Sequence, residues 1–213
     1  MIRFRGFAVF GLACVGAPAA AQNGAMWVDQ HGRMMSITFA GPSGAPPAPA
    51  DRSAAEMAAG FKSLCLDTGG SDAATASAAA QAGLTGTPSS FPTGKKSEPA
   101  SLGVWTGPGT VVASSDRFFA TQLPQCNVTY YVATLPERQG VADALAAAIG
   151  SPPTNAAEAV DKKGKPRKWW SPEWRLGAPG SERIVSAHVT KGSQYMPGNR
   201  VQISVRAAKK AGK

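Results

Sequence analysis

Residues 64–71 read Leu-Cys-Leu-Asp-Thr-Gly-Gly-Ser. A carboxylate that follows an apolar run and precedes two glycines sits where the chain can turn tightly and approach another group closely. Two such carboxylates at hydrogen-bond distance share one proton, so one serves as base and the other as acid. The string occurs once, so Asp67 could find its partner only in a second copy of the chain. A second chemistry lies at residues 162–174, Lys-Lys-Gly-Lys-Pro-Arg-Lys-Trp-Trp-Ser-Pro-Glu-Trp, where five cations run into three tryptophans. Cations beside indole rings suit an anionic, partly apolar partner, or stacking on sugar rings or bases. The candidate contacts are Lys165, Arg167, Lys168, Trp169 and Trp170. The competing use of these tryptophans is to pack a strand at 174–176 onto the core.

Other catalytic schemes have less to draw on. The chain has two histidines, His31 and His188. His188 falls between Ser186 and Thr190 on the polar side of a strand pattern, which predicts solvent exposure. There is no Gly-x-Ser-x-Gly elbow, no His-Glu-x-x-His and no glycine loop leading from a strand into a helix to cradle phosphate. Nothing in the sequence calls for a cofactor.

The string around Asp67 resembles the signature of aspartic peptidases, in which Asp-Thr-Gly follows two or three apolar residues. The resemblance implies a dimeric hydrolase with Asp67 as the catalytic carboxylate and Thr68 and Gly69 bracing its loop. Three departures favour another reading. The preceding segment carries a helical pattern in place of a strand. The nearest later apolar-apolar-Gly string, Ala148-Ile149-Gly150, ends a predicted helix. The dozen residues after Asp67 hold no strand pattern. As a helix end and turn, the same letters need no dimer.

The compartment bears on the cysteines. Arg3 and Arg5 precede an apolar run at 7–15, and small residues at 17–21 precede Gln22. That order predicts a secretory signal peptide over 1–21, cleaved after Ala21. Lipid attachment at Cys14 is the rival, and it would want Leu where Gly11 stands. Cleavage would leave residues 22–213, with Cys65 and Cys126 as an even pair that an oxidising compartment favours as a disulfide. Neither cysteine has a second ligand at metal spacing. The formal charge of +9 would become +7 as Arg3 and Arg5 depart. The excess lies at 162–168 and in a tail with Lys209, Lys210 and Lys213, and it suits anionic envelope polymers or lipid surfaces. No later apolar run is long enough to span a bilayer.

Elements that would position these groups follow from periodicity. Residues 33–39 read as a strand, and 41–50 are Pro-rich and extended. Ser53 and Glu56 form a capping box, and Met57, Phe61, Leu64 and Cys65 then recur on one helical face. A second, Ala-rich helix is predicted over 73–82, and 83–101 reads as a long irregular loop. Strands are predicted at 110–113, 118–122 and 126–134, an amphipathic helix at 137–149, and a hairpin of 184–190 with 200–206. The leader, the helical Phe-x-x-x-Cys-x-Asp segment and the Ala-rich helix ending in Gly-Leu, with the late hairpin, resemble uncharacterised exported proteins of Gram-negative bacteria. That resemblance is clearest over 54–84 and implies a periplasmic or secreted place without implying a mechanism.

The expected architecture is α+β: an antiparallel sheet with helices mainly on one face and one disulfide. Residues 22–52 form a strand and linker, and 53–213 a single domain with long loops near 83–101 and 150–172. The expected role is binding or structural, with an anionic envelope polymer or lipid surface as partner and no specific nucleic acid; the alternative is a hydrolase using Asp67.

Overall fold

Residues that alternate apolar and polar along four late segments can bury only one side, and that alternation organises the fold. The computed structural model describes residues 24–28, 34–38, 46–91, 100–115, 125–167, 169–178, 181–193 and 197–208. The predicted signal peptide, the predicted strand at 118–122, His31, Lys168 and the lysines of the tail lie outside them. Strands β1 (Gly24–Val28) and β2 (Met34–Thr38) pair as a separate antiparallel hairpin.

The main sheet has seven antiparallel strands: β3 (Thr85–Phe91), β4 (Ala100–Gly107), β5 (Thr110–Ser115), β6 (Gln125–Val132), β7 (Glu173–Leu176), β8 (Arg183–Thr190) and β9 (Asn199–Ala207). Their spatial order is β3-β4-β5-β6-β9-β8-β7. The predicted hairpin is β8 with β9. Register carries the alternation across the sheet. Trp105, Val112, Val128, Ile203 and Ala187 form one cross-strand row, and Ser114, Cys126, Val205, Val185 and Trp174 form the next. Every residue in both rows is buried. The opposite side carries Asn127, Ser204, Ser186 and Glu173 in one row and Thr129, Gln202 and His188 in another. A one-residue slip would exchange these sets, which is why the register is firmly specified.

Three helices cover the apolar side, giving the expected α+β architecture. Helix α1 (Ala54–Phe61) starts with the predicted capping box: Ser53 Oγ accepts from Glu56 N, and Glu56 Oε2 accepts from Ser53 N. That backbone bond, with the Ser53 hydroxyl, holds the Glu56 carboxyl below its ordinary pKa. Helix α2 (Asp72–Gln81) packs near β3, β4 and β5, and α3 (Arg138–Ile149) packs against α1 and β8. Gly150 ends α3 in the left-handed region, φ 85°, as its C-terminal position demands.

Strands β1, β3 and β4 depart from the sequence reading, which gave none at 24–28 or 85–107. Residues 83–101 are not an irregular loop throughout: β3 and the start of β4 fall within them and pair with each other. Glycine, proline and serine mask the strand, yet Pro88 is tolerated because β3 is an edge and needs no amide donor on its outer side. In β4 the glycines have a packing role. A Cβ on Gly103 would lie inside the buried ring of Trp105, and one on Gly107 would meet Leu84.

Candidate functional site

The Asp-Thr-Gly-Gly letters close a helix. After Phe61 the chain widens into a π-helical turn (Lys62–Leu66), with Asp67 N donating to Lys62 O five residues back at 2.8 Å. The wide turn buries three successive side chains, Leu64, Cys65 and Leu66. Cys65 is bonded to Cys126 of β6, with 5.4 Å between the Cα atoms and both residues fully buried. Helix ends leave carbonyls without partners, and side chains reach three of them here. Thr68 Oγ1 donates toward Leu64 O (3.0 Å) and Cys65 O (3.1 Å), while Arg183 Nη1 donates to Leu66 O (3.1 Å). Gly69 and Gly70, φ 66° and 79°, turn the chain into α2. Asp67 itself is exposed, and both its oxygens accept from Lys62 Nζ, at 2.6 and 2.9 Å. Its carboxylate therefore neutralises a neighbour on its own helix turn.

The buried carboxylate of this region is Asp72, at the start of α2, which accepts from Ser114 Oγ on β5. Of the two residues that could cap this helix, Ser71 holds the cap position, and Asp72 ties the helix to the sheet.

The cation–tryptophan segment is built by a different set of bonds. Asp161 Oδ1 accepts from the amides of Lys163 (2.8 Å) and Lys165 (2.9 Å), and Asp161 N donates to Lys165 O. Gly164 takes φ 74° at the turn, and Val160 bridges Pro166. A tight loop thus projects Lys162, Lys163 and Lys165, all exposed, from a fixed base. Arg167 Nε donates to Val160 O at 3.2 Å, which fixes the guanidinium while no described residue holds its terminal nitrogens.

The tryptophans divide their work. Trp174 on β7 is fully buried, with Nε1 donating to Ser151 O at 2.9 Å. Trp170 is 8% exposed and donates to Asn155 O at 3.2 Å. Trp169 is 86% exposed. Indole rings combine large apolar area with one donor, so burial with the N–H satisfied is their usual state. Trp169 departs from that burial, whereas its two companions pack as core.

An open cleft of about 620 Å³ lies here, lined by Asn155, Glu158, Asp161, Pro166, Arg167, Trp169, Trp170 and Ser171. Asn155 ties its wall together. Nδ2 donates to Ser171 O and Oδ1 accepts from Glu173 N, both at 2.9 Å. At one end Ser171 Oγ lies 3.1 Å from His188 Nδ1 and donates to Ala187 O at 2.7 Å. The hydroxyl has a single proton, and the shorter contact takes it, so the imidazole donates to Oγ and the pair serves as a brace. Partial desolvation and the Arg138 cation hold the His188 pKa below the ordinary histidine value.

Of the predicted contacts, Lys165, Arg167, Trp169 and Trp170 therefore converge on one loop and cleft, with Trp170 as its buried floor. Asn155, Glu158, Asp161 and Ser171 were not singled out in the sequence. They belong to no motif, and only the fold of 150–172 gathers them. Among the described residues, no group of His, Cys, Asp or Glu side chains is placed to hold a metal ion, and no helix is long and apolar enough to cross a membrane. Compared with protein-family models, curated proteins and solved structures, the chain matches none.

Proposed function

We propose that this chain is an exported, non-catalytic binding domain whose basic loop and Trp169 contact an anionic polymer or lipid surface of the cell envelope. The observation that carries this reading is Trp169, an almost fully exposed indole at the foot of a loop that projects three lysines. An exposed indole beside several cations is a composition that suits an interface with a partner, and it supports this reading. The N-terminal basic and apolar segment supports export, and the Cys65–Cys126 bridge supports an oxidising compartment.

The test is binding of the purified chain to anionic vesicles and to polygalacturonate as salt rises from about 0.01 to about 0.1 M. Across that range the screening length falls from about 30 to about 10 Å. Binding should weaken with salt. A variant with Lys162, Lys163 and Lys165 all changed to Gln should bind roughly 100-fold less, at about 1 kcal/mol for each cation near an anionic surface. Binding to neither probe, or binding indifferent to salt and to the three lysines, would refute the proposal.

A further inference from the structure

We infer that the cleft under Trp169 takes an acidic saccharide, with a sugar ring against the indole and its anionic group on Arg167. This deepens the binding reading above and rests on it.

Three features select a sugar over a membrane. The first is the scarcity of apolar surface. Among the described residues, the exposed large apolar side chains are Val160 and Trp169. Two side chains are far less than the apolar face with which an interfacial element enters a bilayer, whereas one indole face is enough to stack a single ring.

The second is the sign of the charge inside the cleft. Glu158 and Asp161 line it beside Arg167. A lipid headgroup phosphate, or a bare polyanion, would meet those two carboxylates with like charge. A sugar presents hydroxyl donors, which carboxylates accept strongly because one partner is ionised. Its own carboxylate matches the guanidinium, whose forked donors pair with that group two at a time. The mixture of one fixed cation, two acids and an exposed indole is therefore wrong for a uniform anionic surface and right for a ring carrying both hydroxyls and one charge.

The third is that bonds within the chain hold the groups of the cleft. Asp161 is held by two backbone amides, Arg167 by Val160 O, and the Trp170 floor by Asn155 O. Groups fixed in advance lose little entropy on binding. At about 620 Å³ the cleft lies within the size range of small-ligand sites. The lysines of the loop add attraction for a charged polymer from outside the cleft and do not choose between ring and headgroup.

The experiment compares polygalacturonate oligomers, neutral dextran oligomers and phosphatidylglycerol vesicles, using calorimetry or intensity-based titration on the full chain. The expected result is binding of polygalacturonate, weaker binding of dextran and little binding of vesicles. Trp169→Ala and Arg167→Gln should each weaken polygalacturonate binding by at least about tenfold. Glu158→Gln discriminates by sign. If its carboxylate accepts sugar hydroxyls, binding weakens; if the ligand is read only as a polyanion, removing a negative charge strengthens it. Vesicle binding without polygalacturonate binding overturns this inference and leaves the broader binding reading standing. Binding of none of the three overturns both. Equal binding of dextran, unchanged binding by Trp169→Ala, or stronger binding by Glu158→Gln also overturns it. Each of the three side chains is on the surface, so the variants should fold, and an unchanged melting temperature verifies this.

Discussion

Replacing Gly60 by Ala should destabilise this protein, although helix propensity says the opposite. Gly60 lies in α1, where exchanging glycine for alanine ordinarily gains about 1 kcal/mol. In the folded chain a Cβ at this position would stand 2.5 Å from the hydroxyl oxygen of Tyr130. That hydroxyl cannot simply swing aside. Tyr130 is buried, its Oη donates to Met57 O at 2.9 Å, and the Arg52 guanidinium stacks 5.9 Å from its ring centroid. Burial pushes its pKa well above the ordinary tyrosine value, so it stays a neutral donor. Displacing it leaves a buried hydroxyl without its acceptor, at about 1–3 kcal/mol, and adds overpacking of about 1–3 kcal/mol. Set against the propensity gain, the net loss is about 1–5 kcal/mol. In a domain of this size each kcal/mol moves the melting temperature by roughly 2–4 °C.

The control is the same substitution in a Tyr130→Phe background. The next nearest ring atom is 3.6 Å from the Cβ position, an ordinary contact, so without the hydroxyl the alanine fits. Tyr130→Phe alone should cost about 1 kcal/mol, the net value of one hydrogen bond. Adding Gly60→Ala to it should then stabilise by up to about 1 kcal/mol. Thermal or urea unfolding of the four proteins completes the cycle, and the effect of the alanine must change sign between backgrounds. A Gly60→Ala protein that melts higher than wild type would refute the steric argument outright.

Further outcomes follow from the same structure. Reducing the Cys65–Cys126 bridge, or changing both residues to Ala, opens a closure of 61 residues, which the chain-entropy relation values at about 4 kcal/mol. Unfolding with and without reductant checks this, and an unchanged midpoint would contradict it. Trp174→Ala should cost about 3–5 kcal/mol because the ring is fully buried, while Trp169→Ala should stay within about 0.5 kcal/mol of wild type. Similar melting shifts for the two would mean that the assignment of core and surface indoles is wrong. His188 has a folded pKa below its unfolded value of about 6.5. The unfolded chain therefore takes up its proton first as pH falls, and stability is present above about pH 6.5 and lost below it. His188→Asn should remove that part of the acid slope in urea titrations at successive pH values; an unaltered slope would locate it elsewhere.

Much of the scaffold was legible in the residues. The capping box at Ser53, the 3.6-residue recurrence of Met57 and Phe61, and the glycine after Ile149 each state a local rule that the chain obeys, while a wider π-helical turn buries Leu64 and Cys65. The alternation of Val185, Ala187 and Val189 with Ser186, His188 and Thr190 places β8 with one side buried, and Val201, Ile203 and Val205 do the same for β9. The even cysteine pair pointed to the bridge between the π-helical turn after α1 and β6. These features are local, or repeat with a fixed period, and a sequence displays both directly.

What the sequence could not display is what depends on neighbours distant along the chain. Strand β3 looks like a loop because Gly86 and Pro88 are judged alone; pairing with β4 at an edge makes them acceptable. Gly60 looks like a flaw in a helix until Tyr130, 70 positions later, is seen to need the space. The three tryptophans near the basic run have the same composition signal, yet one is core, one is the floor of a cleft and one faces solvent. Glu158 and Asp161 join Arg167 and Trp169 only after Asn155 and the β7 edge fold the intervening chain into a wall. Sequence determined which segments could be helix or strand and which residues could pair as a bridge. Tertiary structure decided which polar and aromatic groups share one surface, because burial and proximity are set by packing between elements and not by spacing along the chain.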